Sequence, residues 1–185
     1  MASALQPGGR DFASLLAAVR ARSASCGAER AQRALLARLA VEARDRVLEL
    51  GFGSGRLLSA VAARAARGFV AGVEPEEVAF RHASRRCERL LRAGRVALLR
   101  GSSSDLSAFG AAAFDKVYGL YVTYFWSDPL PHLRQIRRVL RPGGRLVLGT
   151  HACEPGPGLE AALAAVGFDE IRSDHSDALA FVVAS

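Results

Sequence analysis

Glu49-Leu50-Gly51-Phe52-Gly53-Ser54-Gly55 concentrates the residues of this chain that could do chemistry. A carboxylate sits inside the end of an apolar run, three glycines alternate after it, and an amphipathic stretch from Arg56 to Ala66 follows. Glycines at alternate positions permit a tight turn and let backbone amides approach a ligand with no Cβ between them. The helix expected behind the loop favours negative charge at its N-terminus. Glu74 ends the next apolar run, 19 residues past Gly55. A carboxylate at that spacing can accept hydrogen bonds from both hydroxyls of a ribose. The loop alone is a weak signal; loop and acidic strand end together point to an adenosine-bearing ligand.

Two cofactor classes share this arrangement. A dinucleotide fingerprint wants glycine or alanine at its sixth position, for close packing where the pyrophosphate meets the helix, and Arg56 stands there. Glu49 would also oppose a diphosphate, whereas it could pair with an ammonium group. A carboxylate there suits a ligand with an amino-acid tail. The residues thus favour S-adenosylmethionine over a nicotinamide dinucleotide, with an oxidoreductase as the less favoured alternative.

These groups need a scaffold that brings strand ends side by side. From about Val47 onward, short apolar runs alternate with amphipathic stretches, the pattern of a parallel sheet covered by helices. Strands are predicted at Arg46–Leu50, Phe69–Glu74, Arg95–Leu99, Lys116–Leu120, Arg145–Thr150, Phe168–Ser173 and Leu179–Ala184. The last two are joined too closely for a parallel crossover, which needs roughly a dozen residues, so they form an antiparallel pair. One helix is predicted after Asp11, where Phe12, Leu15, Leu16 and Val19 recur at helical spacing. Leu35, Leu36 and Leu39 mark a second. Ala79, Ala83, Cys87, Leu90 and Leu91 form one face of a third. Asp128-Pro129 reads as the cap and first turn of another, followed by an apolar face of Leu130, Leu133, Ile136 or Arg137, and Leu140. Its C-terminal end carries Arg137, Arg138 and Arg141, which suits the helix dipole, and Arg141-Pro142-Gly143-Gly144 is predicted as a turn.

The chain resembles a class I S-adenosylmethionine-dependent methyltransferase of the compact UbiE-like group, from about Arg46 to Val183. The resemblance rests on Val47–Gly55, Gly72-Val73-Glu74-Pro75, Gly101-Ser102-Ser103-Ser104-Asp105-Leu106, Phe114-Asp115-Lys116-Val117 and Arg138-Val139-Leu140-Arg141-Pro142-Gly143-Gly144-Arg145. It implies a Rossmann-like, doubly wound α/β fold: a seven-stranded sheet, mostly parallel with an antiparallel last strand, and helices on both faces. It also implies that Glu49, Gly51, Phe52, Gly53 and Gly55 hold the methionine part of the cofactor and that Glu74 and Pro75 meet the ribose. Ser102 and Ser103 would meet the adenine, and Leu120 would belong to the same cofactor-binding set. The family commonly has Gly-Asp-Ala where this chain has Gly101-Ser102-Ser103, so a hydroxyl replaces the carboxylate that often receives the adenine amino group. Such a contact lacks charge-assisted strength.

Tyr121, Tyr124, Phe125 and Trp126 follow the fourth strand, where open α/β sheets place ligands. They either line an acceptor slot and shield the sulfonium or pack beneath the next helix. Tyr121 and His151 are the candidate catalytic residues, His151 as a general base near neutrality, with a surface or loop histidine as the commoner reading of such a residue. His82, His132 and His175 read as surface residues, and Cys87 as core.

Absences narrow the acceptor. No Asn/Asp-Pro-Pro-aromatic string of the amino-directed nucleic-acid methyltransferases follows the fourth strand, and no Pro-Cys nucleophile pair appears for pyrimidine C5 chemistry. Residues after the fifth strand lack the Asp-Asn pair of metal-dependent catechol enzymes, so no metal is expected. The formal charge of +7 is almost all arginine, Lys116 being the one lysine among 25 basic residues, and no basic run is interleaved with aromatics. A small-molecule acceptor is expected and a nucleic-acid partner is not. A binding module without transfer activity is the alternative.

At 185 residues, with 50% hydrophobic and 23% charged, the chain is globular and large enough for a core without disulfides. One domain, 1–185, is expected, with 1–45 a helical segment that covers the cofactor or docks on the flank, and 46–185 the cofactor-binding core. Cys26, Cys87 and Cys153 fit neither a disulfide framework nor a zinc site. No apolar run reaches the ~18 residues of a membrane span, and Met1–Arg10 lacks a signal-peptide core, so a cytoplasmic location is expected.

Overall fold

Alternate residues of the apolar run Val47–Leu50 serve opposite faces of a sheet. Val47 belongs to one core, Leu48 and Leu50 to another. The computed structural model describes Ala17 and residues 27–151, 158–176 and 179–185. Seven strands form one sheet: β1 (Arg46–Leu50), β2 (Phe69–Glu74), β3 (Val96–Arg100), β4 (Phe114–Leu120), β5 (Leu140–His151), β6 (Arg172–Ser176) and β7 (Leu179–Ala184). Their order is β3-β2-β1-β4-β5-β7-β6. β1 through β5 pair in parallel, and β7 runs antiparallel to both β5 and β6. The expected doubly wound sheet is present.

Six helices are described: α1 (Ala28–Leu39), α2 (Arg56–Arg64), α3 (Glu77–Arg86), α4 (Glu88–Arg92), α5 (Pro129–Val139) and α6 (Leu159–Ala165). One core packs Ala31, Leu35 and Leu39 of α1 and Leu57, Leu58 and Val61 of α2 against Val47, Val70, Tyr118, Val147 and Phe181. The other packs Leu133, Ile136 and Val139 of α5 and Leu159 and Leu163 of α6 against Leu48, Val73, Val117, Leu146 and Val182. Each such aliphatic side chain contributes about 1.5–3 kcal/mol when fully buried. The helix expected around Phe12–Val19 lies, Ala17 apart, outside the described residues.

Several local expectations need correction. The helix after Asp128 ends at Val139, so Leu140, expected on its face, instead begins β5, and β4 begins at Phe114 rather than Lys116. Arg141–Gly144 is not a turn between elements but lies within β5, which runs from Leu140 to His151 rather than from Arg145 to Thr150. Leu140 pairs with Phe114 and Arg145 with Lys116, so the extra residues bulge, with Gly143 at φ 68°. The third predicted helix breaks at Cys87, which is fully buried and leaves the helical region at ψ 8° between α3 and α4. Phe168 is buried beside α6, but pairing with β7 begins only at Arg172. Strand β3 sits one residue later than expected.

The chain's single lysine has a structural task. Lys116 Nζ lies 2.7 Å from Asp45 and donates to the Ala40 carbonyl, fastening the α1–β1 connection to β4. Asp128 caps α5 by accepting from the Leu130 amide at 2.9 Å.

Candidate cofactor site

β1 delivers Leu50 to the C-terminal edge of the sheet, beside the β1/β4 switch point where ligands bind in open α/β sheets. Gly51, Gly53 and Gly55 all adopt positive φ (65°, 52° and 74°). The Gly51 amide donates to the Val73 carbonyl at 2.8 Å, tying the turn to β2. A Cβ on Gly51 would stand 2.7 Å from Val122 Cγ1, and one on Gly55 would stand 3.0 Å from Ala83 Cβ. At Gly53 a Cβ would meet nothing within 4 Å. The loop is packed at both ends and open in the middle. That is a cradle a ligand can fill and a side chain would obstruct.

Glu74 closes this cradle from the end of β2. Glu74 is 8% exposed, and its carboxylate accepts from the Gly53 amide at 2.8 Å and from the Glu76 amide at 3.0 Å. A carboxylate has about four acceptor positions, so two amide bonds are compatible with further donors. Glu76 caps α3 through the Val78 and Ala79 amides, and Pro75 lies exposed between the two glutamates.

Glu49 is 4% exposed, and Tyr118, its register partner on β4, donates to it at 2.8 Å. Burial pushes the Glu49 carboxyl up to about 8; the Tyr118 bond works against this and the nearby Glu74 charge adds to it. Burial, followed by the Glu49 charge, likewise raises the Tyr118 phenol well above its usual value. Glu49 is therefore mostly a neutral acid at pH 7, and an arriving cation would favour its ionised form. Nothing in the hydrophobic pattern singles out Tyr118; the signal was its side of β4, which becomes informative only once the β1–β4 register is known.

Beyond β3, the Gly101 amide bonds the Glu74 carbonyl at 3.1 Å. Ser102 Oγ accepts from the Ser104 amide at 3.2 Å and from Ser104 Oγ at 2.9 Å, so its own proton is what it has left to offer. Its hydroxyl thus suits a ligand acceptor better than the adenine amino group assigned to it from sequence. Asp105 accepts from the Ser107 amide at 3.0 Å, and hydrogen bonding by the Ser107 side chain, then by its amide, holds its carboxyl below the usual value.

Ser103 is buried, with its Oγ 2.7 Å from His132 Nδ1. The His132 ring stacks on Trp126 at 4.6 Å and 14°. Burial lowers its pKa to about 4, so it is neutral at pH 7. The histidine expected at the surface is half-buried, between Trp126 and Ser103.

At the end of β4, Leu120 is half-buried and Tyr121 is buried with φ 64°. A left-handed conformation costs a residue with a Cβ roughly 1–2 kcal/mol. The Tyr121 amide bonds the Gly149 carbonyl at 2.7 Å, and Tyr124 OH accepts from Thr150 at 2.6 Å. Tyr121, Tyr124 and Phe125 pack on the α1 side and Trp126 on the α5 side, so these aromatics serve the cores as well as the cleft. His151 ends β5 opposite Leu179, and Cys153 lies outside the described residues.

A family model described as a methyltransferase domain matches residues 48–148. The chain is 35% identical over 124 residues to 27-O-demethylrifamycin SV methyltransferase of Amycolatopsis mediterranei, covering 66% of this chain and 45% of that protein. It is 34% identical over 108 residues to a tRNA U34 carboxymethyltransferase of Trichlorobacter lovleyi, covering 57% and 32%. The chain thus spans half or less of the length of these relatives. A solved SAM-dependent methyltransferase from Aquifex aeolicus superposes with a TM-score of 0.68 at 19% identity, over 83% of this chain and 88% of that one.

Proposed function

The chain belongs to the S-adenosylmethionine-dependent methyltransferases, and on that premise we propose that it transfers a methyl group to a small-molecule acceptor by in-line displacement, without a metal. The observation that carries this reading is the pair of buried carboxylates, Glu49 and Glu74, on either side of a glycine loop that is open at Gly53. Glu49 receives the ammonium of the methionine tail, with Gly51, Phe52, Gly53 and Gly55 forming the backbone cradle. Glu74 receives the ribose hydroxyls beside Pro75, and Ser102, Ser103 and Leu120 border the adenine.

S-adenosylmethionine, when bound, supplies a methyl group already activated for displacement. The protein's work is to align the acceptor and keep out water, and proximity can supply roughly 7–11 kcal/mol. Tyr121, held in a left-handed conformation at the strand end, positions the acceptor. His151, at the end of the neighbouring strand, takes the acceptor proton. Residues 1–45 complete the domain, with the segment around Asp11–Arg20 as the cover. Protection of those amides from hydrogen exchange on ligand binding tests that part.

No helix among the described residues is long and apolar enough to cross a membrane. A cytoplasmic setting belongs to the reading, in keeping with Cys87, which is a buried free thiol.

The test is calorimetry with S-adenosylhomocysteine, followed by a transfer screen over phenols, amines, thiols and tRNA. Binding with transfer to a small acceptor supports the reading. Transfer to tRNA alone moves the acceptor class to that of the carboxymethyltransferase relatives. Binding with no transfer leaves a cofactor-binding module, and absence of binding overturns the proposal.

A further inference from the structure

A second feature stands outside the cofactor cradle. A groove of about 350 Å³ runs between α1 and α2, and its walls carry Arg33 of α1, Arg56 and Arg64 of α2 and Arg86 of α3, with Glu29 as the single carboxylate. Four arginines against one glutamate leave a formal +3. Among the described residues, none of these four arginines forms an ion pair, whereas Arg38, Arg81, Arg92, Arg100, Arg141 and Lys116 do. Arg86 donates to the Ser54 carbonyl at 3.0 Å, which anchors one wall to the glycine loop. Arg64 bonds only the Ala60 carbonyl of its own helix, at 3.2 Å. Like charges gathered in one concavity raise its potential and concentrate anions there.

The spacing says what kind of anion fits. Arg56 and Arg64 stand eight residues apart on one helix, which is about 12 Å along its axis. A single carboxylate cannot span that distance or neutralise the groove. Guanidinium groups match phosphate oxygens in pairs of parallel hydrogen bonds. We propose that the α1–α2 groove binds a ligand carrying two or more phosphate groups. The site is independent of the cofactor reading, since neither Glu49 nor Glu74 lines it.

Two probes distinguish a phosphorylated small molecule from a nucleic-acid backbone: inorganic tripolyphosphate by calorimetry, and a short labelled single-stranded RNA by fluorescence anisotropy. Both would be titrated into the full chain across a salt series. The groove should bind at least one of them. The double variant Arg33→Ala, Arg64→Ala should weaken that binding at least about tenfold, and the RNA salt slope should fall by about 1.4 for two lost phosphate contacts. Both side chains are exposed. The variant should therefore bind S-adenosylhomocysteine as the parent chain does, which reports an intact fold. Tighter binding of tripolyphosphate assigns the groove to a small phosphorylated ligand, and tighter binding of RNA to a phosphodiester backbone. Failure of both probes to bind, or unchanged binding of both by the double variant, overturns the proposal.

Discussion

Tyr118 donates its phenolic proton to Glu49 across 2.8 Å, and the two residues are register partners on β4 and β1. The pairing gives a buried carboxyl one satisfied oxygen without a compensating positive charge. Neutralisation by a proton is the cheaper solution for such a group, which is why burial outweighs the hydrogen bond and moves the carboxyl up to about 8. A cofactor ammonium would reverse that balance.

The first prediction concerns pH. If Glu49 must ionise to meet an ammonium, binding releases a proton at neutral pH, and affinity for S-adenosylhomocysteine rises by up to about tenfold per pH unit until about pH 8. Calorimetry in buffers of different ionisation enthalpy measures the proton directly. In Glu49→Gln the proton release should vanish together with most of the affinity. No proton release in the parent chain would separate Glu49 from the ammonium.

Tyr118→Phe removes the bond that holds the Glu49 carboxyl down. The pH midpoint for cofactor affinity should therefore move upward. A buried acceptor also loses its partner, so stability should fall by about 1–3 kcal/mol. Denaturant titration reads the second effect and the binding profile the first. An unchanged midpoint would mean that the two groups are not coupled as their geometry indicates.

Glu74 has a structural task beside its proposed one, because its carboxylate holds the amides of Gly53 and Glu76. Glu74→Ala should weaken S-adenosylhomocysteine by about 1.5–3 kcal/mol, the usual worth of hydrogen bonds to a charged group. It should also lower the melting temperature. Glu74→Gln, which keeps one acceptor oxygen, should lose less on both counts. Unchanged affinity in the alanine variant would remove Glu74 from the site.

Much of this architecture is legible in the sequence. The bounds of β1, β2 and β7 coincide with their apolar runs, because strands buried on both faces need no partner to be recognised. The glycine loop and Glu74 are legible for a similar reason: their spacing is local. The Tyr118–Glu49 bond and the Ser103–His132 contact are not, since each joins residues that only the strand order brings together. The β5 bulge was also hidden, as Pro142-Gly143-Gly144 carries the same signature in a bulge as in a turn.

Gly53 has φ 52° and open space where a Cβ would stand. Gly53→Val should abolish S-adenosylhomocysteine binding while the far-ultraviolet dichroism stays that of a folded α/β chain. Backbone strain from a β-branched residue at positive φ should cost roughly 1–2 kcal/mol, small enough for folding to survive. Normal binding by this variant would show that the ligand does not occupy the cradle.

His132 supplies the last prediction, through its opposite sign to Glu49. Its pKa falls from 6.5 to about 4 on folding, so between those values the unfolded chain binds a proton that the folded chain does not. Stability from this group therefore rises with pH across that window and is complete above 6.5. Glu49 rises from 4.5 to about 8, so the folded chain keeps a proton that the unfolded chain has lost, and its contribution falls with pH up to about 8. From about pH 4.5 to 6.5 the two slopes oppose each other, although solvent screens part of the His132 contribution because that ring is only partly buried. Above 6.5 only the Glu49 slope remains, at most about 1.4 kcal/mol per pH unit. Urea denaturation should therefore show a shallow dependence from about pH 5 to 6.5 and a steeper loss from there to about 8. His132→Gln, which does not titrate but still offers Ser103 a hydrogen-bond partner, should steepen the low-pH limb and leave the high-pH limb unchanged. Glu49→Gln should do the reverse, with stability rising up to about pH 6.5 and flat beyond it. Identical profiles in the parent chain and the His132 variant would show that the Trp126–His132–Ser103 contact does not hold the imidazole neutral.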